Sequence, residues 1–130
     1  MSFLLDTAWV VHWLKGKKEI VDKIEMYRKE GLSASIISVG ELYEGIYGSP
    51  NKEKDGQILK EFLKGITLLE LTEDICRKFG EIRNNLRKRG ELIGDFDLLI
   101  ASTALINNLT LLTGNVKHYE RIKGLKIKSS

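Results

Sequence analysis

Apolar residues fall along this chain in two patterns, short continuous runs and longer stretches with a three-to-four-residue period. The runs read as buried strands and the periodic stretches as amphipathic helices. Ser2–Asp6 is the first run, closed by an acid, and Thr7–Leu14 follows as a short helix with Trp9 and Trp13 one turn apart. Lys17–Glu30 carries Ile20, Ile24 and Tyr27 at helical spacing and stops at Gly31. Leu32–Ile36 is a second strand, after which Ser38 is expected to begin a helix over Val39–Tyr47. Asn51–Gly65 has a buried stripe of Ile58, Leu59, Phe62 and Leu63, and Ile66–Leu71 reads as a third strand. Thr72 caps a long helix to Arg89, in which Ile75, Phe79, Ile82 and Leu86 share a face, and Gly90 ends it. Ile93–Leu105 is the least polar helix of the chain, and such a helix is expected to be buried. Leu109–Thr113 is a fourth strand, Val116–Arg121 a short helix, and Leu125–Ile127 an edge strand.

Strands alternating with helices predict an α/β fold, a central, mostly parallel sheet flanked by helices on both faces. The 130 residues contain no repeat, low-complexity tract or linker, so a single domain over 1–130 is expected. In such sheets ligands bind outside the carboxyl ends of the strands. Asp6 closes the first strand and Thr113-Gly114-Asn115 follows the fourth, so both belong on that edge.

Composition narrows the class. Cys76 is the only cysteine, which excludes an intrachain disulfide and favours an intracellular home; between Ile75 and Phe79 it reads as a packing residue. The opening MSFLLDTAWVV lacks a basic leader, and no segment approaches the ~20 apolar residues of a membrane span, so a cytoplasmic protein is expected. The net charge is +3. Arg83, Arg87, Lys88 and Arg89 cluster at the end of one helix, while Lys117, Arg121, Lys123, Lys126 and Lys128 fill the last stretch. If several acids are gathered in one site, the remaining surface is more basic than the net charge implies, which suits a polyanion. The helix-end cluster then provides candidate contacts to a polyanion's backbone, although cations there also complement the helix dipole.

Three acids occupy strand ends or helix starts, namely Asp6, Glu41 and Asp97. Each also has a purely structural explanation. Asp6 can start the Thr7 helix, Glu41 fits a capping box with Ser38, and Asp97 can pair with the dipole of its own helix. Asp95, beside Asp97, can cap that helix. A parallel sheet nevertheless brings such points to one edge. Carboxylates ~4 Å apart repel by about 4 kcal/mol at an effective dielectric of 20, so a true cluster needs a cation or a raised pKa. Oxygen ligands without cysteine or histidine suit Mg²⁺ or Mn²⁺, and the matching chemistry is phosphodiester hydrolysis.

The same residues carry a family resemblance. Leu4–Thr7 (LLDT), Ser38–Leu42 (SVGEL), Ile93–Ser102 (IGDFDLLIAS) and Thr113–Leu125 (TGN…Y…I…GL) resemble, in order, the motifs of PIN-domain proteins, most closely their VapC-type toxins. The resemblance implies a PIN-like fold and a Mg²⁺-dependent endoribonuclease, the toxin of a type II toxin–antitoxin pair. It implies an RNA substrate, a small VapB-like antitoxin and homodimerisation. By that analogy Asp6, Glu41 and Asp97 are catalytic metal ligands and Asn115 a fourth, binding through its carbonyl or a water. Many relatives carry aspartate at that position. Asp95 is a departure from the pattern and an accessory candidate, as are Thr7, Ser38 and Thr113, which can orient ligands or touch phosphate.

His12 and His118 lack the partners of a general base and read as structural or surface residues. Trp9 and Trp13 can stack on bases, but helical spacing favours the core. Tyr43 and Tyr47 share a face that either packs or joins two copies. Two rival functions remain inside the resemblance: a non-catalytic RNA- or protein-binding module, and a nuclease of RNA maturation. A phosphatase with Asp6 as nucleophile is disfavoured, because Ala8 and Trp9 follow Thr7 where a D-x-D-x-T pattern is required.

Overall fold

The computed structural model describes residues 3–129. Ser2, included in the expected first strand, lies outside them. The elements run β1 (Phe3–Leu5), α1 (Thr7–Leu14), α2 (Lys18–Arg28), β2 (Leu32–Ser35), α3 (Ile36–Tyr47), α4 (Lys52–Lys64), β3 (Thr67–Leu69), α5 (Glu73–Lys88), α6 (Asp95–Ile106), β4 (Thr110–Leu112), α7 (Val116–Tyr119) and β5 (Ile127–Lys128). The strands form one sheet in the order β3-β2-β1-β4-β5, and every pairing is parallel. The last strand sits two residues later than the apolar run Leu125–Ile127 suggests, where Leu112 pairs with Lys128.

Residues of β1 alternate between two cores. Phe3 and Leu5 point into one with Trp9, Ile24, Leu42, Leu59 and Phe62. Leu4 points into the other with Leu86, Leu98, Ile100, Leu111 and Tyr119. A strand apolar on both faces can only be central, and β1 is fully buried. Buried α6 residues Leu98, Ile100, Ala101 and Ala104 fill the second core, while Ser102 and Thr103 donate their hydroxyl protons to the carbonyls of Leu98 and Leu99 one turn back. An all-round apolar helix is thus buried without orphaning its two hydroxyls.

The strand order places β2 on one side of β1 and β4 on the other. The chain therefore leaves β1 and β4 toward opposite sides of the sheet, opening a crevice at their carboxyl ends. Leu5 pairs with Leu112, so Asp6 and Thr113 emerge side by side at that crevice.

One helix start differs from expectation. The cap of α3 is Ser35, whose hydroxyl accepts from Ile37 N–H at 3.0 Å, so the helix begins one turn before Ser38. Ser35→Ala should destabilise the protein by about 1 kcal/mol, measured by urea unfolding. Cys76 is exposed and does not pack, because it lies about 100° around α5 from the Ile75–Phe79 stripe. No helix among the described residues is long and apolar enough to cross a membrane.

Candidate active site

Asp6 follows β1 directly and caps α1, its Oδ1 accepting from Thr7 N–H at 2.9 Å. Its other oxygen, Oδ2, accepts from the Thr113 hydroxyl at 2.6 Å. The side chain is 7% exposed. Burial pushes the Asp6 carboxyl above the usual carboxylate range and the negative Asp97 adds to this, against the lowering pull of the Thr113 and Thr7 hydrogen bonds. The structural explanation of Asp6 as a helix start is thus correct, and it leaves a buried carboxylate under strain.

Glu41 lies inside α3, so it forms no capping box with Ser38. Its Oε1 stands 2.7 Å from the Thr7 hydroxyl, which is in turn 2.8 Å from the Ser38 hydroxyl. Thr7 has one proton; the carboxylate is the stronger acceptor, and fully buried Ser38 then donates to Thr7. Two hydroxyls thereby tie α1 to α3 and hold Glu41 at the crevice.

Asp97 is the third residue of α6. Gly94 caps that helix without a side-chain bond, so Asp95 is not its cap. Successive helical residues turn by about 100°, so Asp95 and Asp97 point to different sides. Asp95 pairs with Arg83 at 2.8 Å on the exposed flank, and Asp97 lines the crevice. Asn115 follows β4; its backbone N–H donates to the Thr113 hydroxyl at 3.0 Å, and its amide Nδ2 lies 2.9 Å from His118 Nδ1.

Asp6, Glu41, Asp97 and Asn115 thus line one open cleft of about 610 Å³, with Thr7, Trp9, His12 and Lys17 among its other walls. An apolar groove beside it, walled by Leu14, Leu42, Ile46 and Ile58, shares Val11 and Glu41 with it. Tyr119 lies behind Asp6. It is fully buried, its hydroxyl is 3.5 Å from Asp6 Oδ1, and it also faces Asp97. Burial first, then the charges of Asp6 and Asp97, hold its phenol protonated far above the usual range, so it serves as a donor to the acids.

Among the described residues no ion pair involves Asp6, Glu41 or Asp97. Among the described residues no three acid, histidine or cysteine side chains stand close enough together to hold a metal ion without rearrangement. An all-oxygen set of acids along an open cleft fits a cation that keeps much of its water, as Mg²⁺ does, better than one needing a full protein shell. The raised Asp6 carboxyl is the other sign of fit, since a nearby cation would relieve it.

The basic cluster lies elsewhere. Arg83 holds Asp95, Arg89 pairs with Glu91 and donates to the Arg121 carbonyl, and Arg87 donates to Asn84. Neither these three nor Lys88 lines the cleft. Lys17 does, a cation that sequence reasoning passed over because the residue merely opens a helix. Tyr119 was also unassigned, although its place four residues after Asn115 was visible. Trp9 is buried, as its spacing suggests, and Trp13 packs on Phe62 with ring centroids 4.5 Å apart.

Comparison with known proteins is consistent across three measures. The model of the PIN domain family matches residues 3–125. A Haemophilus influenzae protein named ribonuclease VapC1 is 33% identical over 97% of this chain and 96% of its own. Ribonuclease VapC1 of Methanocaldococcus jannaschii is 40% identical over 97% of this chain and 86% of its own. Among solved structures, VapBC2 from Rickettsia felis, bound to a DNA fragment from their promoter, superposes with a TM-score of 0.94 at 31% identity, covering 100% of this chain and 99% of that one.

Proposed function

This chain belongs to the PIN-domain family, among its VapC-type members, and from that premise we propose that it is a Mg²⁺- or Mn²⁺-dependent endoribonuclease acting as the toxin of a toxin–antitoxin pair. The observation that carries this reading is that Asp6, Glu41, Asp97 and Asn115 line one cleft with, among the described residues, no cation paired to the acids. Their sequence separations make that a product of the fold rather than of local capping. For Glu41 the capping explanation is removed altogether, since α3 starts at Ser35.

Asp6, Glu41 and Asp97 would hold the metal, with Asn115 as a fourth oxygen donor. When bound, Mg²⁺ supplies Lewis acidity that activates water and steadies the leaving oxygen of a phosphodiester. The chain's own groups do the rest. Thr113 and Tyr119 orient Asp6, and Thr7 and Ser38 fix Glu41. Lys17, at the rim, is placed to meet a backbone phosphate. Arg83, Arg87, Lys88 and Arg89 belong to this reading as outlying contacts to a long substrate, with Arg83 and Arg89 having first to leave Asp95 and Glu91. A small VapB-like antitoxin and self-association come from the family; the Rickettsia felis relative is itself a VapBC assembly.

The experiment is cleavage of a panel of single-stranded and structured RNAs by antitoxin-free protein with Mg²⁺, Mn²⁺ or EDTA. Cuts are expected with either metal, none in EDTA, and a loss of about 100-fold or more in Asp97→Asn. Cutting that survives EDTA would remove the metal from the mechanism. RNA retention without cutting would favour the binding module instead.

A further inference from the structure

We propose that His118 is a positioning residue: it turns the Asn115 side chain so that the amide oxygen, not the NH₂, is presented to the cleft. The inference rests on the reading of that cleft as a cation site. An asparagine amide has nearly the same shape in its two flipped orientations but opposite chemistry, an acceptor in one and a donor in the other. Only the oxygen can ligate a metal ion or accept a hydrogen bond from a water bound to it. A donor there would repel it.

The backbone of Asn115 is already fixed. Its N–H donates to the Thr113 hydroxyl at 3.0 Å, and that hydroxyl donates to Asp6 at 2.6 Å. These bonds place the residue but leave the flip of its amide undecided. His118, three residues on and on the same side of the short helix, decides it. Asn115 Nδ2 lies 2.9 Å from His118 Nδ1, and in the neutral tautomer that carries its proton on Nε2 this ring nitrogen accepts from the amide NH₂. With Nδ2 committed to the ring, Oδ1 is the atom left for the cleft that Asn115 lines. An aspartate at this position would present oxygen in either orientation and need no such partner. Asparagine needs one, and His118 supplies it.

The test is Mn²⁺ affinity of the metal-free protein, read from the free-ion EPR signal, for His118→Leu and His118→Gln in two backgrounds, wild type and Asn115→Asp. His118→Leu is expected to weaken Mn²⁺ binding about tenfold in the wild-type background, the usual scale for a partner of a metal ligand. In Asn115→Asp the same change is expected to matter less than about twofold, since the flip no longer carries information. His118→Gln, whose amide oxygen can accept the same hydrogen, should retain most of the affinity. Equal losses in the two backgrounds, or no loss in either, would overturn the inference. So would a His118→Gln protein as weak as His118→Leu. Asp97→Asn is run alongside; if it binds Mn²⁺ as tightly as wild type, the cation-site reading itself has failed, whatever His118 does.

Discussion

Asp6→Asn should abolish RNA cleavage, by about 1000-fold or more, while the metal-free protein becomes more resistant to heat. The two effects have one cause. The Asp6 carboxyl is raised, chiefly by burial and further by Asp97. Between its ordinary value and the raised one, the folded protein binds more protons than the unfolded chain. Stability therefore falls as pH rises through that window, and at neutral pH the ionised carboxylate is a standing penalty. Asparagine removes the charge and keeps the oxygen that caps Thr7 N–H. A thermal melt in EDTA should show the variant above wild type at neutral pH, with the difference shrinking on acidification. Added Mg²⁺ should stabilise wild type and not the variant, because only the folded wild type binds it. A variant that cuts RNA at the wild-type rate would end the assignment of Asp6 as a ligand.

Thr113→Val should move the acid limb of the pH–activity profile to higher pH. The Thr113 hydroxyl, fully buried, is the largest influence lowering the Asp6 carboxyl. Without it, burial and Asp97 act on that carboxyl with less opposition, so ionised Asp6 is reached only at higher pH. The valine variant also leaves Asn115 N–H without its acceptor. A loss of about 2 kcal/mol at neutral pH is expected for a buried bond to a charged group, less in acid where Asp6 is neutral. Rate measured across pH, beside urea unfolding at two pH values, separates the effects. An unmoved acid limb would mean that activity does not depend on Asp6 ionisation.

Much of this architecture is legible in the chain because a central strand must be apolar on both faces and a helix must repeat near 3.6. Phe3-Leu4-Leu5 and the Ile75–Leu86 stripe satisfy those demands without reference to anything distant. Starts and orientations are less legible. Ser35 and Ser38 are one helical turn apart, and the β-branched Ile36-Ile37 between them looks like strand, so the α3 start is displaced by that turn. The pair Asp95 and Asp97 is visible in the sequence, but which acid faces the cleft depends on Arg83, twelve residues earlier and on another helix. Tyr119 and Lys17 escape notice because their relation to the acids exists only after folding. The exposed Cys76 was misplaced by reading its neighbours instead of its angle on the helix.

The order β3-β2-β1-β4-β5 has a consequence for how this protein comes into being. Its first strand waits for a flank that is made almost last, since Asp6 and Thr113 lie 107 residues apart. At translation rates of roughly 5–20 residues per second, the first acid precedes its orienting hydroxyl by about 5–20 s. A nascent chain still short of Thr110 has no β4, no crevice and no assembled site. A ribosome making this protein therefore carries a harmless intermediate for nearly the whole of its synthesis.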